Sequence, residues 1–434
     1  MKPTAYGAYK NSGSPWLGEI PSHWSVKRLK FTSDLINSKV SVEESSLPYL
    51  GLEHIESWTG RRNDGEIVNS EGLASSFLAG DVLFGKLRPY LAKVHLAQQD
   101  GLISSEALVV RGSEKLHAEF LKYYMLSRDF INIVDSSTYG SKMPRASWDF
   151  IGNLPVLLPD VTEQQAIARF LDFKTEQIDA LIAKNKILLE KLAENRTALI
   201  SHAVTKGLDP SVPMKESGVE WLGEIPESWK TTRIKFLGSL HLGLTYSPDD
   251  VVSDGGTLVL RSSNVQNGGL DLTDCVYVSC DIPQKILTKP DDILICSRNG
   301  SRALIGKCAL LTEEVAGQTF GAFMTVLRSR HARFLYYVLN STLFKFQSGR
   351  FLTSTINQLT TQTLGDFEIA LPPEDEQEVI VSHLDNVTHA IDQQASKVQQ
   401  VLDRLTEYRS ALITNTVTGK IDVRGFCHPL SAAT

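Results

Sequence analysis

The sequence has few of the marks of an enzyme. It holds no Walker A loop, no GxSxG elbow, no HExxH pair and no protein-kinase set. The stretch closest to a phosphate loop, Gly300 to Cys308, has five residues between its glycines where four are needed. It also ends in Cys where Ser or Thr would meet Mg²⁺. Adenine methyltransferases carry an Asn/Asp-Pro-Pro-aromatic motif, and the one Pro-Pro pair here, Pro372-Pro373, runs into Glu374. The 10 histidines are scattered without metal-ligand spacing, so no metal site is expected. The 5 cysteines, from Cys275 to Cys427, are odd in number and form no CxxC pair, which argues for reduced thiols and against a disulfide framework. No apolar run approaches the roughly 20 residues that span a bilayer. The polar start, MKPTAYGAYKNSGS, lacks the apolar stretch of a signal peptide. A cytoplasmic protein without catalytic, metal or membrane function is therefore expected.

The chain also lacks an overall excess of positive charge: 44 basic residues face 50 acidic ones, a net charge of −6. Read by segment, the imbalance lies mostly in the tail, where 9 acidic and 5 basic residues follow Pro372. Between Arg298 and Arg350, eight basic residues face only Glu313 and Glu314. One local stretch is cationic in a chain that is not.

At 434 residues the chain is too long for one comfortable core. What is present is a duplication. Trp16-Leu-Gly-Glu-Ile-Pro-Ser-His-Trp24 returns as Trp221-Leu-Gly-Glu-Ile-Pro-Glu-Ser-Trp229. Arg28-Leu-Lys-Phe31 returns as Arg233-Ile-Lys-Phe236, and Leu121 to Leu126 aligns with Phe334 to Leu339. From Pro159 to Thr205, 19 of 47 positions are identical to Pro372 to Thr418 without a gap. The middles, from about residue 45 to 150 in the first half, differ greatly. The repeat is far longer than the roughly 20–50 residues of solenoids, so a whole module has been duplicated.

Each module ends in a segment of about 43 residues with no interior proline or glycine, which as one straight helix would reach roughly 65 Å. Ile178, Ile182, Asn185, Leu189, Leu192, Arg196 and Leu199 follow alternating spacings of four and three, a heptad stripe. Ile391, Ala395, Val398, Leu402, Leu405, Arg409 and Leu412 share its phase. Two stripes in register and of equal length suit an antiparallel coiled coil; the other packing is each helix against its own globular part. Asn185, opposite in the repeat to Val398, is a polar seam residue of the kind that fixes register. Arg196 and Arg409 carry stems long enough to snorkel to water.

The globular segments mix short buried strands with short amphipathic helices. After the strand at Asp81 comes a loop with Lys86, Arg88 and Lys93; after the strand at Asp292 comes one with Arg298, Asn299, Ser301, Arg302 and Lys307. A second loop precedes each long helix, with Ser141, Lys142 and Arg145 in the first half and Arg350, Asn357 and Gln358 in the second. Arg presents a fork to guanine, Asn and Gln to adenine, Lys and Ser to phosphate. These residues are the candidate DNA contacts.

Taken together, these features resemble the specificity (S, HsdS) subunit of type I restriction–modification systems. The resemblance covers essentially the whole chain. It rests on the repeated Trp-Leu-Gly-Glu-Ile-Pro-x-x-Trp, on Gly80 to Tyr90 (GDVLFGKLRPY), on Leu-Pro…Glu-Gln before each long helix and on Val417 to Arg424 (VTGKIDVR). It implies an α+β fold with a pseudo-twofold repeat: target recognition domains over 1–158 and 208–371, spacer helices over 159–207 and 372–420, and a tail over 421–434. It further implies that each domain reads one half of a bipartite site in double-stranded DNA. Two methyltransferase and two restriction–translocase subunits would join it. Those partners would use S-adenosylmethionine, ATP and Mg²⁺, while this chain would bind no cofactor directly. A coiled-coil adaptor that binds proteins only is the competing reading. The repeated tryptophans, outside the divergent middles, read as packing anchors.

Overall fold

The computed structural model describes residues 5–63, 72–140, 142–266, 268–351 and 357–426. Both halves open with a hairpin, Tyr9–Asn11 against Glu19–Pro21 and Met214–Glu216 against Glu224–Pro226. The repeated nonapeptide supplies the turn and second strand. Its Gly18 and Gly223 sit at φ +64° and +59°, where a side chain would be strained. Trp24 and Trp229, which close the two copies, are 0% exposed. Truncating such a side chain costs about 3–5 kcal/mol, so these tryptophans are structural anchors.

In the first half the main elements are β1 (Ser25–Arg28), β2 (Ser33–Ile36), β3 (Val82–Gly85), β4 (Val94–Leu96), β5 (Ala107–Gly112), α1 (Ala118–Leu126), α2 (Arg128–Ser136), β6 (Pro155–Leu158) and the long α3 (Val161–Lys206). The second half repeats them as β7 (Lys230–Arg233), β8 (Gly238–Leu242), β9 (Ile293–Cys296), β10 (Cys308–Leu310), β11 (Met324–Ser329), α4 (Ala332–Leu339), α5 (Thr342–Phe351), β12 (Glu368–Leu371) and the long α6 (Glu374–Val417). The antiparallel sheet runs β2-β5-β3-β4 in one half and β8-β11-β9-β10 in the other. One inner strand of each sheet, VLFG and ILIC, is buried at every residue, as uninterrupted apolar runs require. The strand after the opening hairpin pairs antiparallel with the last strand of each module, β1 with β6 and β7 with β12, and closes the domain just before its long helix begins.

The divergent middles build a second sheet in each half, and its topology has changed. Lys39–Ser41, Leu73–Phe77, Gly101–Ser104 and Tyr49–Leu50 lie in that order in the first half. In the second half the order is Val251–Val252, Tyr277–Val278, Thr257–Leu260, Thr319–Phe320. Both keep one parallel pair, but the second and fourth strands in sequence have exchanged places. The structure also corrects the helix alignment by one residue. Phe120 and Leu121 correspond to Phe334 and Leu335, all fully buried. Tyr123 and Tyr337 both donate to an aspartate of the following helix, Asp172 at 2.6 Å and Asp385 at 2.5 Å.

The chain divides into two compact units, one comprising the N-terminus to Lys186 with Gln400 onward, the other Ile187 to Gln399. The division passes through both long helices, so each unit holds a stretch of each. In the first unit Ile178 and Leu412 enter the core with Trp24, Phe84 and Phe120, while Ile182 and Leu405 pack against it. In the second, Ile200 and Ala203 of α3 and Ile380 and Leu384 of α6 enter the core with Trp229 and Phe334. Leu189, Leu192, Leu199 and Val398 are half-buried; Ile391 and Leu402 are buried. Within each unit the helices therefore pack on the globular core. They also exchange an ion pair in each: Arg409 meets Asp179 at 2.8 Å in the first, Arg196 meets Asp392 at 3.2 Å in the second. Both arginines were expected to snorkel; they bind carboxylates instead. Asn185 donates its side-chain amide to Leu181 O of its own helix at 2.8 Å, so it spends a donor locally.

Candidate nucleic-acid interface

The loop after β3 and the loop before β6 are far apart in sequence, yet backbone hydrogen bonds join them. Arg88 N donates to Pro144 O at 2.8 Å and Ala146 N to Lys86 O at 3.0 Å. Arg145 bridges Leu87 and Tyr139. In the second unit Leu359 N donates to Ser297 O at 2.8 Å, and Arg298 bridges Gln358. The same two loops thus meet in both halves, although their side chains differ. Such joining by main-chain groups satisfies the loops' polar backbone without depending on residue type.

In the first unit Arg88 is exposed and held at φ +51°, a left-handed backbone that costs a non-glycine residue about 1–2 kcal/mol. Lys142 is exposed and Lys86 half-buried. Lys93 lies deeper: its Nζ donates to Leu52 O at 2.6 Å, and burial holds its ammonium below the ordinary lysine range. The Arg145 guanidinium is bidentate to Glu106, at 2.9 and 3.2 Å, and that carboxylate raises its already high pKa. Ser141 lies outside the described residues.

In the second unit Arg298, Asn299, Ser301, Asn357 and Gln358 come together. Asn299 donates to Ser262 Oγ at 3.2 Å and accepts from Ser301 N at 2.9 Å. Asn357 donates to Gly300 O at 3.4 Å. The Arg298 guanidinium lies 5.1 Å from the centre of the Phe323 ring. Arg302 and Lys307 face elsewhere, into a cavity of about 1160 Å³ that they line with Leu189, Arg196, Asp392 and Lys345. Arg302 donates to Gly349 O at 3.2 Å, and Lys307 approaches Gln266 Oε1 at 3.5 Å. Arg350 lies over the ring of Trp221 at 5.0 Å. Sequence reasoning missed Phe323, Ser262 and Glu106, since nothing local marks them as partners of the loops.

Behind each interface a buried carboxylate holds the sheet. Asp81 accepts two hydrogen bonds from Arg111, at 2.7 and 2.8 Å, and Asp292 two from Arg328, at 2.8 and 2.7 Å. Each aspartate is almost wholly buried and heads the strand that leads into the first of the two polar loops. Among the described residues no cluster of His, Cys, Asp or Glu could hold a metal ion, and no helix is long and apolar enough to cross a membrane.

Residues 226–403 match the family described as the type I restriction modification DNA specificity domain. The chain is 29% identical over 211 residues to the EcoKI specificity subunit of Escherichia coli K12, an alignment covering 46% of this chain and 44% of that protein. It is 23% identical over 427 residues to the MjaVIII specificity subunit of Methanocaldococcus jannaschii, covering 93% and 94% of the two chains. Its fold is similar to that of a chain solved in work on the assembly and conformational transition of the type I R-M system. The TM-score is 0.71 at 18% identity, over 93% of this chain and 99% of that one. Residues 226–403 thus carry the type I restriction modification DNA specificity domain, and the chain is similar over nearly its whole length to a type I specificity subunit.

Proposed function

We propose that this chain is the non-catalytic DNA reader of a type I complex in the cytoplasm, with each globular part reading one half of an asymmetric bipartite target. The observation that carries this reading is the meeting of the same two polar loops in both units, with different side chains on each. Two unlike reading surfaces on one repeated frame suit a two-part site. The long helices pair antiparallel, set the unread spacing between half-sites and dock two methyltransferase subunits; two restriction–translocase subunits complete the complex. S-adenosylmethionine, ATP and Mg²⁺ serve those partners, and this chain binds none of them.

The ruler is tested by deleting one heptad from each long helix. Seven helical residues span about 10 Å, the length of about three base pairs. Methylation profiling of cells carrying the altered subunit should show a spacer shorter by about that much, with both half-site sequences retained. An unchanged spacer refutes the ruler. A chain that methylates no bipartite site with its methyltransferase present supports the protein-only adaptor instead.

A further inference from the structure

The residue that precedes β5 in the first unit, Glu106, and the one that precedes β11 in the second, Phe323, occupy the same place in the fold. Ala107 pairs with Gly85 and Met324 with Cys296, in each case the last residue of the inner strand. Both residues also accept backbone hydrogen bonds from the reading loop: Lys86 N to Glu106 O at 2.9 Å, Ser297 N and Arg298 N to Phe323 O at 3.0 Å. Their side chains treat a neighbouring arginine in opposite ways, Arg145 of the loop before β6 in the first unit and Arg298 of the loop after β9 in the second. Glu106 takes the Arg145 fork in a bidentate pair that cancels its charge and occupies the Nε and one Nη2 donor. Phe323, 57% exposed, offers a ring face to Arg298. Stacking orients a guanidinium plane without consuming any N–H. Among the described residues no carboxylate pairs with Arg298 and no side chain accepts from its guanidinium.

Here the centre of an exposed ring lies 5.1 Å from the carbon of a guanidinium fork whose donors are unspent. The base whose edge matches that fork is guanine, through O6 and N7 in the major groove. We propose that Phe323 is a positioning residue that presents Arg298 to a guanine in the half-site read by the second unit. The inference rests on the DNA-reading role proposed above.

The test uses the full chain assembled with its methyltransferase, and measures relative methylation of DNA duplexes varied one position at a time across both half-sites. R298K keeps the charge and loses the fork. It should relax selectivity by about tenfold at one guanine of one half-site and leave the other half-site unchanged. F323L should relax the same position, F323Y should retain selectivity there, and F323E, which installs the acid of the first unit, should lose it as fully as R298K. Replacing that guanine by 7-deazaguanine should reduce wild-type methylation and leave R298K indifferent. The untouched half-site reports that each variant is folded. Uniform weakening across all sequences by R298K would mean a phosphate contact and overturn the guanine assignment, leaving the DNA-reading role intact. Selectivity unchanged in F323L overturns the platform. Absence of site-specific methylation by the wild-type assembly would instead sink the reading on which the inference rests.

Discussion

The duplication provides a controlled comparison of one ion pair in two environments. Arg409 and Arg196 occupy equivalent places, and so do their partners Asp179 and Asp392. In the first unit both side chains are only 8% exposed. Arg409 donates to Asp179 at 2.8 and 3.3 Å and to Trp58 O at 2.8 Å. In the second unit Asp392 is 56% exposed and the contact is 3.2 Å. Removing one partner of a buried pair strands a charge and costs about 3–5 kcal/mol. Arg61, 3.0 Å from Asp179, offers partial compensation and sets Arg409→Ala near the lower end, about 3 kcal/mol. Arg196→Ala leaves a carboxylate that water can solvate, and should cost about 1 kcal/mol. At about 2–4 °C per kcal/mol for units of this size, Arg409→Ala should lower the melting of the first unit by about 6–12 °C. Arg196→Ala should lower that of the second by about 2–4 °C. Differential scanning calorimetry of the full chain resolves the two shifts. Asp179→Ala/Arg409→Ala should be more stable than Arg409→Ala alone, because the stranded charge is gone. Equal small shifts for both arginines, or a double variant as unstable as the sum of its parts, would refute the reasoning.

Two further outcomes follow from local geometry. Gly419 sits at φ +75°, and an added Cβ would lie 2.3 Å from Pro21 Cδ and 3.1 Å from Trp24 Cζ3. Gly207, at φ +77°, has nothing nearer than Glu376 Oε1 at 3.3 Å. Both Ala replacements should therefore cost the roughly 1–2 kcal/mol of a left-handed backbone, but Gly419→Ala should lower the melting temperature distinctly more; equal losses would refute the seating of the first nonapeptide on this glycine. His95 is held below the ordinary imidazole pKa, chiefly by burial and further by Arg62 and Lys122, against a raising hydrogen bond to Gly60 O at 2.8 Å. Because the folded pKa is the lower one, its contribution is fully present above about pH 6.5 and is lost as pH falls from there through the folded value. The first unit's melting temperature should thus fall less steeply between about pH 7 and 5 in His95→Gln than in the wild type, and parallel pH profiles would count against the assignment.

The long helices were legible because their signal is local and repeated. A span free of proline and glycine with one heptad phase marks α3 and α6 to within a few residues of Val161–Lys206 and Glu374–Val417. The positions of the stripe were legible for the same reason, and all twelve apolar or amide residues assigned to it are buried or half-buried. The ion pairs were not. A heptad stripe says which residues face inward and nothing about which residue of another helix stands opposite, so Arg409 read as a snorkelling side chain rather than the partner of an aspartate 230 positions away. The two polar loops of each unit were legible as polar composition, but Glu106 cancels Arg145 across 39 positions, and no pattern in the intervening sequence foretells that. The one-residue shift between α1 and α4 was hidden because Tyr123-Tyr124 matches Tyr336-Tyr337 by letter, while the hydrogen bond to the following helix selects Tyr123 and Tyr337.

The distribution of difference between the halves has a physical basis in how each part is held. The frame depends on particular side chains: Trp24 and Trp229 fill the core, Gln164 and Gln377 donate to Pro159 O and Pro372 O at 2.9 and 2.8 Å, and Asp81 and Asp292 take an arginine fork. A change at any of these leaves a cavity or an unpaired buried group, each worth several kcal/mol. The polar loops are joined to each other chiefly by main-chain bonds, Arg88 N to Pro144 O in one unit and Leu359 N to Ser297 O in the other, which any non-proline donor residue can make. Their side chains can therefore be exchanged at little cost to the fold. A frame that tolerates few changes and loops that tolerate many would come to differ in just this pattern, with alike beginnings, unlike middles and alike ends. On that account Phe323 and Glu106 are the informative positions: their carbonyls hold the loop after the inner strand in the same way, while the Glu106 side chain pairs with Arg145 of the second loop and the Phe323 ring faces Arg298 of the first.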